Sequence, residues 1–240
     1  AMRIFALTAG AANMYCGSCL RDNALAAELK AQGHDVLLMP VYTPTLVDED
    51  NVSGGHVLFG GISVYLQQHS VLFRKTPWVL DKLWDSRFAL KAASRHSIPV
   101  DPKFLGEMTV AMLQGERGPQ KKEFEKLRRH LAHLDRPDVV TLPNSLLISM
   151  AEPIRQVTKR PVFVTLQGED LFLEGLREPY RSQALSLLRR QVSNADGFVA
   201  GSEFCARLMA AYLDLPKDRL HVAPLGIHVK GFEMRESCPA

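Results

Sequence analysis

Residues 137–170 read "PDVVTLPNSLLISMAEPIRQVTKRPVFVTLQGED": two short β-branched runs, each introduced by proline and closed by a polar loop, with a stretch of helical length between them. The pattern predicts strand, helix, strand, with "SLLISMAEPIRQVT" helical despite Pro153. The same unit recurs on both sides. Upstream, "RIFALTAG" and "HDVLLMPVY" are strand-length apolar runs around a helical segment that stops at Gly33. On that helix Leu25, Ala26 and Leu29 share a face, and Asp22 points the same way one turn earlier. Downstream, "GLREPYRSQALSLLRRQVSNA" places Leu176, Tyr180, Ala184, Leu187 and Leu188 at helical spacing, followed by the strand "DGFVAGS", the helix "EFCARLMAAYLDL" and the strand "RLHVAP". Strands buried on both faces and separated by helices of about 12 or more residues imply a parallel sheet with right-handed crossovers.

The predicted fold class is therefore α/β, a doubly wound and mostly parallel sheet of Rossmann-like type. Of the 240 residues, 46% are hydrophobic and 23% charged, enough apolar material for one such core. The net charge of +3 is too mild for a dedicated nucleic-acid binder, so no nucleic-acid partner is expected. No apolar stretch approaches the ~20 residues of a membrane span, and the run from Ile4 to Leu7 passes directly into a loop, unlike a secretory leader. Cys16, Cys19, Cys205 and Cys238 are too sparse for a disulfide scaffold, which points to a cytoplasmic protein. Residues 52–118 break the rhythm, with one strand expected near Val57 to Phe59 and short helical pieces after it. That insertion is either a functional subdomain or a helical cap on the sheet edge.

Ligands of open parallel sheets bind beyond the carboxyl ends of the strands. This selects the loops "TAGAANMYCGSC", "VYTPTLVDED", "LPNS", "LQGEDLF", "AGSEF" and "APLGI". Ser145 and Ser202 stand where helix caps are expected. The first loop lacks both the dinucleotide fingerprint and the P-loop lysine, yet Gly17 and Ser18, ahead of a helix, can present backbone N–H groups to an anion. Cys16 and Cys19 fit a redox dithiol, half of a zinc site or two small packed residues; the remote Cys205 and Cys238 do not complete a zinc site, so no metal is expected. In "GERGPQKKEFEKLRRHLAHLDRP", Phe124, Leu127, Leu131 and Leu134 form an apolar stripe beside Lys121, Lys122, Lys126, Arg128 and Arg129. Such a helix either docks on its own sheet or rests on an anionic membrane, and Glu123 and Glu125 favour docking.

Taken in order, these stretches resemble the N-terminal domain of family 4 glycosyltransferases, retaining enzymes of the two-domain GT-B fold. That family opens with a strand, a Gly-Gly-x-Gly loop, a helix and Gly-His-Glu-Val; here Cys16, Gly17 and Cys19 stand on the glycine positions and "GHDV" follows at Gly33 to Val36. "TLQGED" sits where the family has Thr-x-His-Gly or Thr-x-His-Asp, "ADGFVAGSEFCARLM" matches its Ala-Asp strand and Ser-Glu helix start, and "DRLHVAPLGI" matches the strand before its hinge. "GGISVYLQQHSVLF" is similar to the acceptor-side segment of starch and glycogen synthases. The chain departs from the pattern at Cys16, at Gln167 in place of His, and at Leu225 and His228 in place of the hinge Asn and Asp.

The resemblance implies a Rossmann-like domain over residues 2–228, with residues 229–240 leading into a hinge and a C-terminal donor-binding domain of the same polypeptide as partner. No two glutamates here have the Glu-x7-Glu spacing of that donor domain. It further implies transfer of a sugar from a nucleotide-diphosphate sugar, with no cofactor, to a saccharide, lipid or small-molecule acceptor, this half being inactive alone. Cys16, Gly17, Ser18 and Cys19 become the loop facing the donor phosphate. Asp22, Asn144, Gln167, Gly168, Glu169, Asp170, Ser202, Glu203 and Gly226 become candidate substrate contacts, with Gln167 set to bond a sugar hydroxyl and Glu169 or Asp170 either binding acceptor or capping the next helix. For Asp22 the alternative is an acid favoured by the helix dipole. Lipid-acceptor relatives make the inner membrane face a second expected location. The competing readings are a non-catalytic Rossmann-like ligand- or partner-binding domain and a Cys-x-x-Cys redox protein.

Overall fold

The computed structural model of the chain describes residues 1–10, 14–55, 57–59 and 102–226. Six strands pair in parallel: β1 (Arg3–Thr8), β2 (Asp35–Pro40), β3 (Val139–Leu142), β4 (Val162–Leu166), β5 (Gly197–Ala200) and β6 (Leu220–Val222). Their order across the sheet is β2-β1-β3-β4-β5-β6. Seven helices flank them among the described residues: α1 (Gly17–Ala31), α2 (Pro102–Gln114), α3 (Lys121–His133), α4 (Ala151–Thr158), α5 (Glu169–Glu174), α6 (Tyr180–Gln191) and α7 (Glu203–Leu213). The predicted α/β architecture is the observed one.

The two-residue period of the strands divides the core between the faces of the sheet. Ile4, Val36 and Leu38 pack with Ala26 of α1 on one side. Phe5, Leu7 and Met39 turn to the other, where they join Val140, Val164 and Phe198 beneath the remaining helices. The stripe of α3 belongs to this larger core: Phe124 and Leu127 are fully buried, Leu131 nearly so, and the Phe59 and Phe124 rings lie 5.4 Å apart. The docking alternative for this basic helix is therefore the observed one. No helix among the described residues is long and apolar enough to cross a membrane.

Several local expectations are corrected. Leu25 is exposed, and the inner face of α1 is Cys19, Asp22, Asn23 and Ala26, with Leu29 partly buried against the same small core. The helix expected over "SLLISMAEPIRQVT" is a 3-10 segment, Ser145–Met150, running into α4. Pro153 is the third residue of α4, where no intrahelical N–H bond is needed. The long helix expected after Gly175 is confined to α6, with α5 a separate short helix before it. No strand forms at 57–59. Instead the chain returns along the free edge of β2, with Gly54 N donating to Leu38 O at 2.7 Å, Leu58 N to Pro40 O at 2.9 Å and Phe59 N to Val41 O at 2.6 Å.

The expected insertion is also partly core. Within α2, Val110, Ala111, Met112 and Leu113 are buried, and Ser149 Oγ donates to Met112 O at 2.7 Å. Gly106 lets α2 approach α6 closely, since a Cβ there would stand 2.6 Å from the Tyr180 ring. The stretch at 60–73, the remaining short helical pieces up to residue 101, and 227–240 with His228 and Cys238 lie outside the described residues.

Because Phe124 is fully buried whereas Lys121 is exposed, Phe124→Ala is expected to destabilise the domain by about 3–5 kcal/mol and Lys121→Ala by less than about 0.5 kcal/mol. Urea denaturation of the two variants measures the difference.

Candidate functional site at the carboxyl edge of the sheet

β2 and β3 lie on opposite sides of β1, so the crossovers leave the carboxyl end of the sheet in opposite directions there. In doubly wound sheets this switch point opens a crevice. α1 begins beside it. Its N-cap residue Cys16 has an extended backbone and makes no side-chain cap, and its first turn contains no acid. Gly17 is exposed, with nothing within 4 Å of a Cβ built there. The first-turn N–H groups thus have no local side-chain acceptor.

Three loops meet at this edge through side chains. Gln167, directly after β4, donates through Nε2 to Ser18 Oγ at 3.1 Å and closely to the carbonyl of Pro143. Glu169 is buried, and its carboxylate accepts Ser145 N at 2.6 Å on Oε1 and Gln167 N at 2.8 Å on Oε2. It therefore supplies an acceptor to the start of the 3-10 segment. This corrects the expectation that Ser145 caps a helix: its own hydroxyl is buried without a hydrogen-bond partner. Gly168 holds the turn between them at φ 80°, ψ 41°, a left-handed conformation that favours glycine. Asn144 Oδ1 and Asp170 Oδ1 are also buried without hydrogen-bond partners at the same edge.

The other expected positions fall around this cluster. Ser202 accepts Cys205 N at 3.1 Å and so caps α7, as expected for a serine there. Glu203 is exposed and lines an open groove of about 730 Å³ between α7 and β6. Gly226 is exposed at the far end of the sheet, near the loop carrying Gly201, against whose Cβ position Leu225 packs.

Cys19 and Asp22 are buried on the inner side of α1. Burial pushes the Cys19 thiol up. Cys16, Cys19 and Cys205 are all free. No three His, Cys, Asp or Glu side chains gather as a metal site among the described residues. Burial raises the Asp22 carboxyl as well, against the opposing charge of Arg21, whose Nε lies 3.1 Å from Asp22 Oδ1.

Three contributors are not legible as site residues in the sequence. Asn23 ties the loop after β2 to α1, donating to Asp50 O at 3.0 Å and accepting Val52 N at 2.9 Å. A polar residue on the inner face of a helix is the only signal it leaves. Gly10, at φ 77°, passes so close to the same loop that a Cβ would lie 2.0 Å from Thr43 O. Thr8, at the end of β1, is fully buried, with its hydroxyl beside the Cys19 thiol and the Asp22 carboxyl on the inner side of α1.

The geometry defines a Rossmann-like α/β domain whose polar groups converge on its switch point. Residues 22–226 match the glycosyl transferase 4-like domain, so the chain belongs to that family of glycosyltransferases. No curated protein matches it. The match begins at Asp22, which leaves residues 16–19 just ahead of it.

Two outcomes test this geometry. Gly10→Ala is expected to cost at least about 2 kcal/mol, because it adds positive-φ strain to a clash with backbone; thermal denaturation reads it. The raised Asp22 carboxyl means that folding favours its protonated form, so its contribution is fully retained at acid pH and lost as pH rises through its folded titration. Asp22→Asn should therefore match the parent in stability at low pH and gain on it progressively toward neutrality, measured by urea midpoints across pH.

Proposed function

We propose that this domain is the acceptor-binding half of a retaining glycosyltransferase that takes a nucleotide-diphosphate sugar as donor substrate, requires no further cofactor, and acts with a C-terminal donor-binding domain of the same polypeptide. The acceptor class is a saccharide, lipid or small molecule. The observation that carries the reading is the Gln167 bridge, which joins the start of α1 to the loops after β3 and β4 in a chain of the glycosyl transferase 4-like family.

Moving a sugar from a diphosphate requires that negative charge be stabilised on the departing phosphate and that the attacking hydroxyl be aligned before reaction. The uncapped first turn of α1 supplies N–H groups and a helix dipole for the phosphate end. Gln167, whose Nε2 lies 3.1 Å from Ser18 Oγ in that turn, supplies a neutral polar group suited to a hydroxyl. Asn144 and Asp170 each keep a buried, unpartnered side-chain oxygen at the same edge. Glu169 has both oxygens engaged by backbone N–H groups and acts through the loops it holds. A domain of this kind lacks the second wall needed to enclose a nucleotide, so by itself it is expected to transfer no sugar.

In a polypeptide carrying this chain with its donor domain, Gly17→Val should lower transfer by about 100-fold or more, since a branched side chain displaces the phosphate from the helix start. Stability should be unchanged, because the added atoms enter open space. Initial rates with a radiolabelled nucleotide-diphosphate sugar, beside a thermal melt, make the test; full turnover by an intact Gly17→Val protein would overturn the reading.

A further inference from the structure

We propose that Glu169 is a positioning residue that locks the Gln167 side-chain amide with its carbonyl oxygen outward, making Gln167 an acceptor-only contact that selects hydroxyl groups and disfavours phosphate or carboxylate oxygens. The selectivity rests on the sugar-contact reading of Gln167 given above; the lock does not.

A free glutamine amide rotates and offers either a donor or an acceptor. Here one orientation is excluded chemically. The carbonyl of Pro143 has no proton to give, so the group facing it must be the NH2 of Gln167. Turning the amide over would bring two carbonyl oxygens together. Ser18 Oγ takes Nε2 as well, at 3.1 Å, so the donors of the amide are spent within the protein. Oε1 makes no hydrogen bond to another described residue, and Gln167 is exposed. What the amide presents to the crevice is an acceptor.

The lock depends on the spacing between Pro143 and Gln167, and Glu169 sets that spacing. Its two oxygens hold Gln167 N at 2.8 Å and Ser145 N at 2.6 Å, two residues beyond Pro143. One buried carboxylate therefore staples the loop after β3 to the loop after β4. Glutamine at position 169 cannot reproduce this, because its NH2 would face one of the two backbone N–H groups with no acceptor.

NMR of the chain tests the lock without any ligand. The Gln167 side-chain NH2 should be protected from exchange in the parent chain. In Glu169→Gln it should lose protection, with the backbone amides of Ser145 and Gln167 exchanging about tenfold faster, the equivalent of one hydrogen bond. An unprotected NH2 in the parent, or protection unchanged in Glu169→Gln, overturns the lock. If Glu169→Gln does not fold, Ser18→Ala serves instead: it should release the NH2 partly while leaving the Ser145 amide protected, and no release overturns the proposal. Selectivity is read by titrating the parent with glucose, galactose, mannose and N-acetylglucosamine, and separately with inorganic phosphate. A shift of the Gln167 carbonyl carbon with a sugar, the NH2 staying protected with sugar and with phosphate alike, supports the proposal. Release of the NH2 toward phosphate overturns it. A protected NH2 with no response to any sugar overturns the selectivity and the sugar contact together, and separates that failure from failure of the lock.

Discussion

Parallel pairing obliges each strand to be reached by a crossover from the opposite edge, so every loop that follows a strand opens on the same side of the sheet. With six strands in the order β2-β1-β3-β4-β5-β6, that side collects the start of α1 and the loops after β3, β4 and β5. The rest of the molecule follows from this constraint. Helices must cover both faces, which is why the even-numbered apolar residues of β1 and β2 pack under α1 while the odd-numbered ones join the large core beneath the other helices.

Pairing of strands fixes where loops emerge, but not how they sit against each other. Here the loops are joined by a few buried polar groups. Glu169 links the loops after β3 and β4 through backbone N–H groups, Gln167 links both to α1, and Asn23 holds the loop after β2 against α1. Hydrogen bonds of this kind contribute about 1 kcal/mol each when made, and leaving such groups unpaired in a buried place costs more. Their geometry is what sets the loops after β2, β3 and β4 against the start of α1.

Membership of the glycosyltransferase 4-like family gives this crevice its chemical context, and two features of the chain fit that context differently. The uncapped helix start is generic to anion-binding folds. Gln167 presents a neutral amide held by its neighbours. The basic helix α3, which in isolation reads equally as a membrane-surface helix, spends its apolar stripe on the domain core.

The sequence by itself determined the class of fold, the order of its elements, and which loops share an edge, because apolar periodicity and parallel crossovers are local patterns with few global solutions. It also pointed to Gln167, Glu169 and the helix start at Gly17, since polar residues directly after predicted strands must lie on that edge. It misjudged Leu25, Ser145 and the run at 57–59. Each of these depends on a partner far away in the chain: Leu25 yields the inner face of α1 to Cys19, Asp22, Asn23 and Ala26, Ser145 receives its acceptor from Glu169, and residues 57–59 follow the edge of β2 without extending the sheet. Only the tertiary structure decided the roles within the crevice, because whether a carboxylate or an amide is free to meet a ligand depends on which of its atoms the folded chain has already engaged.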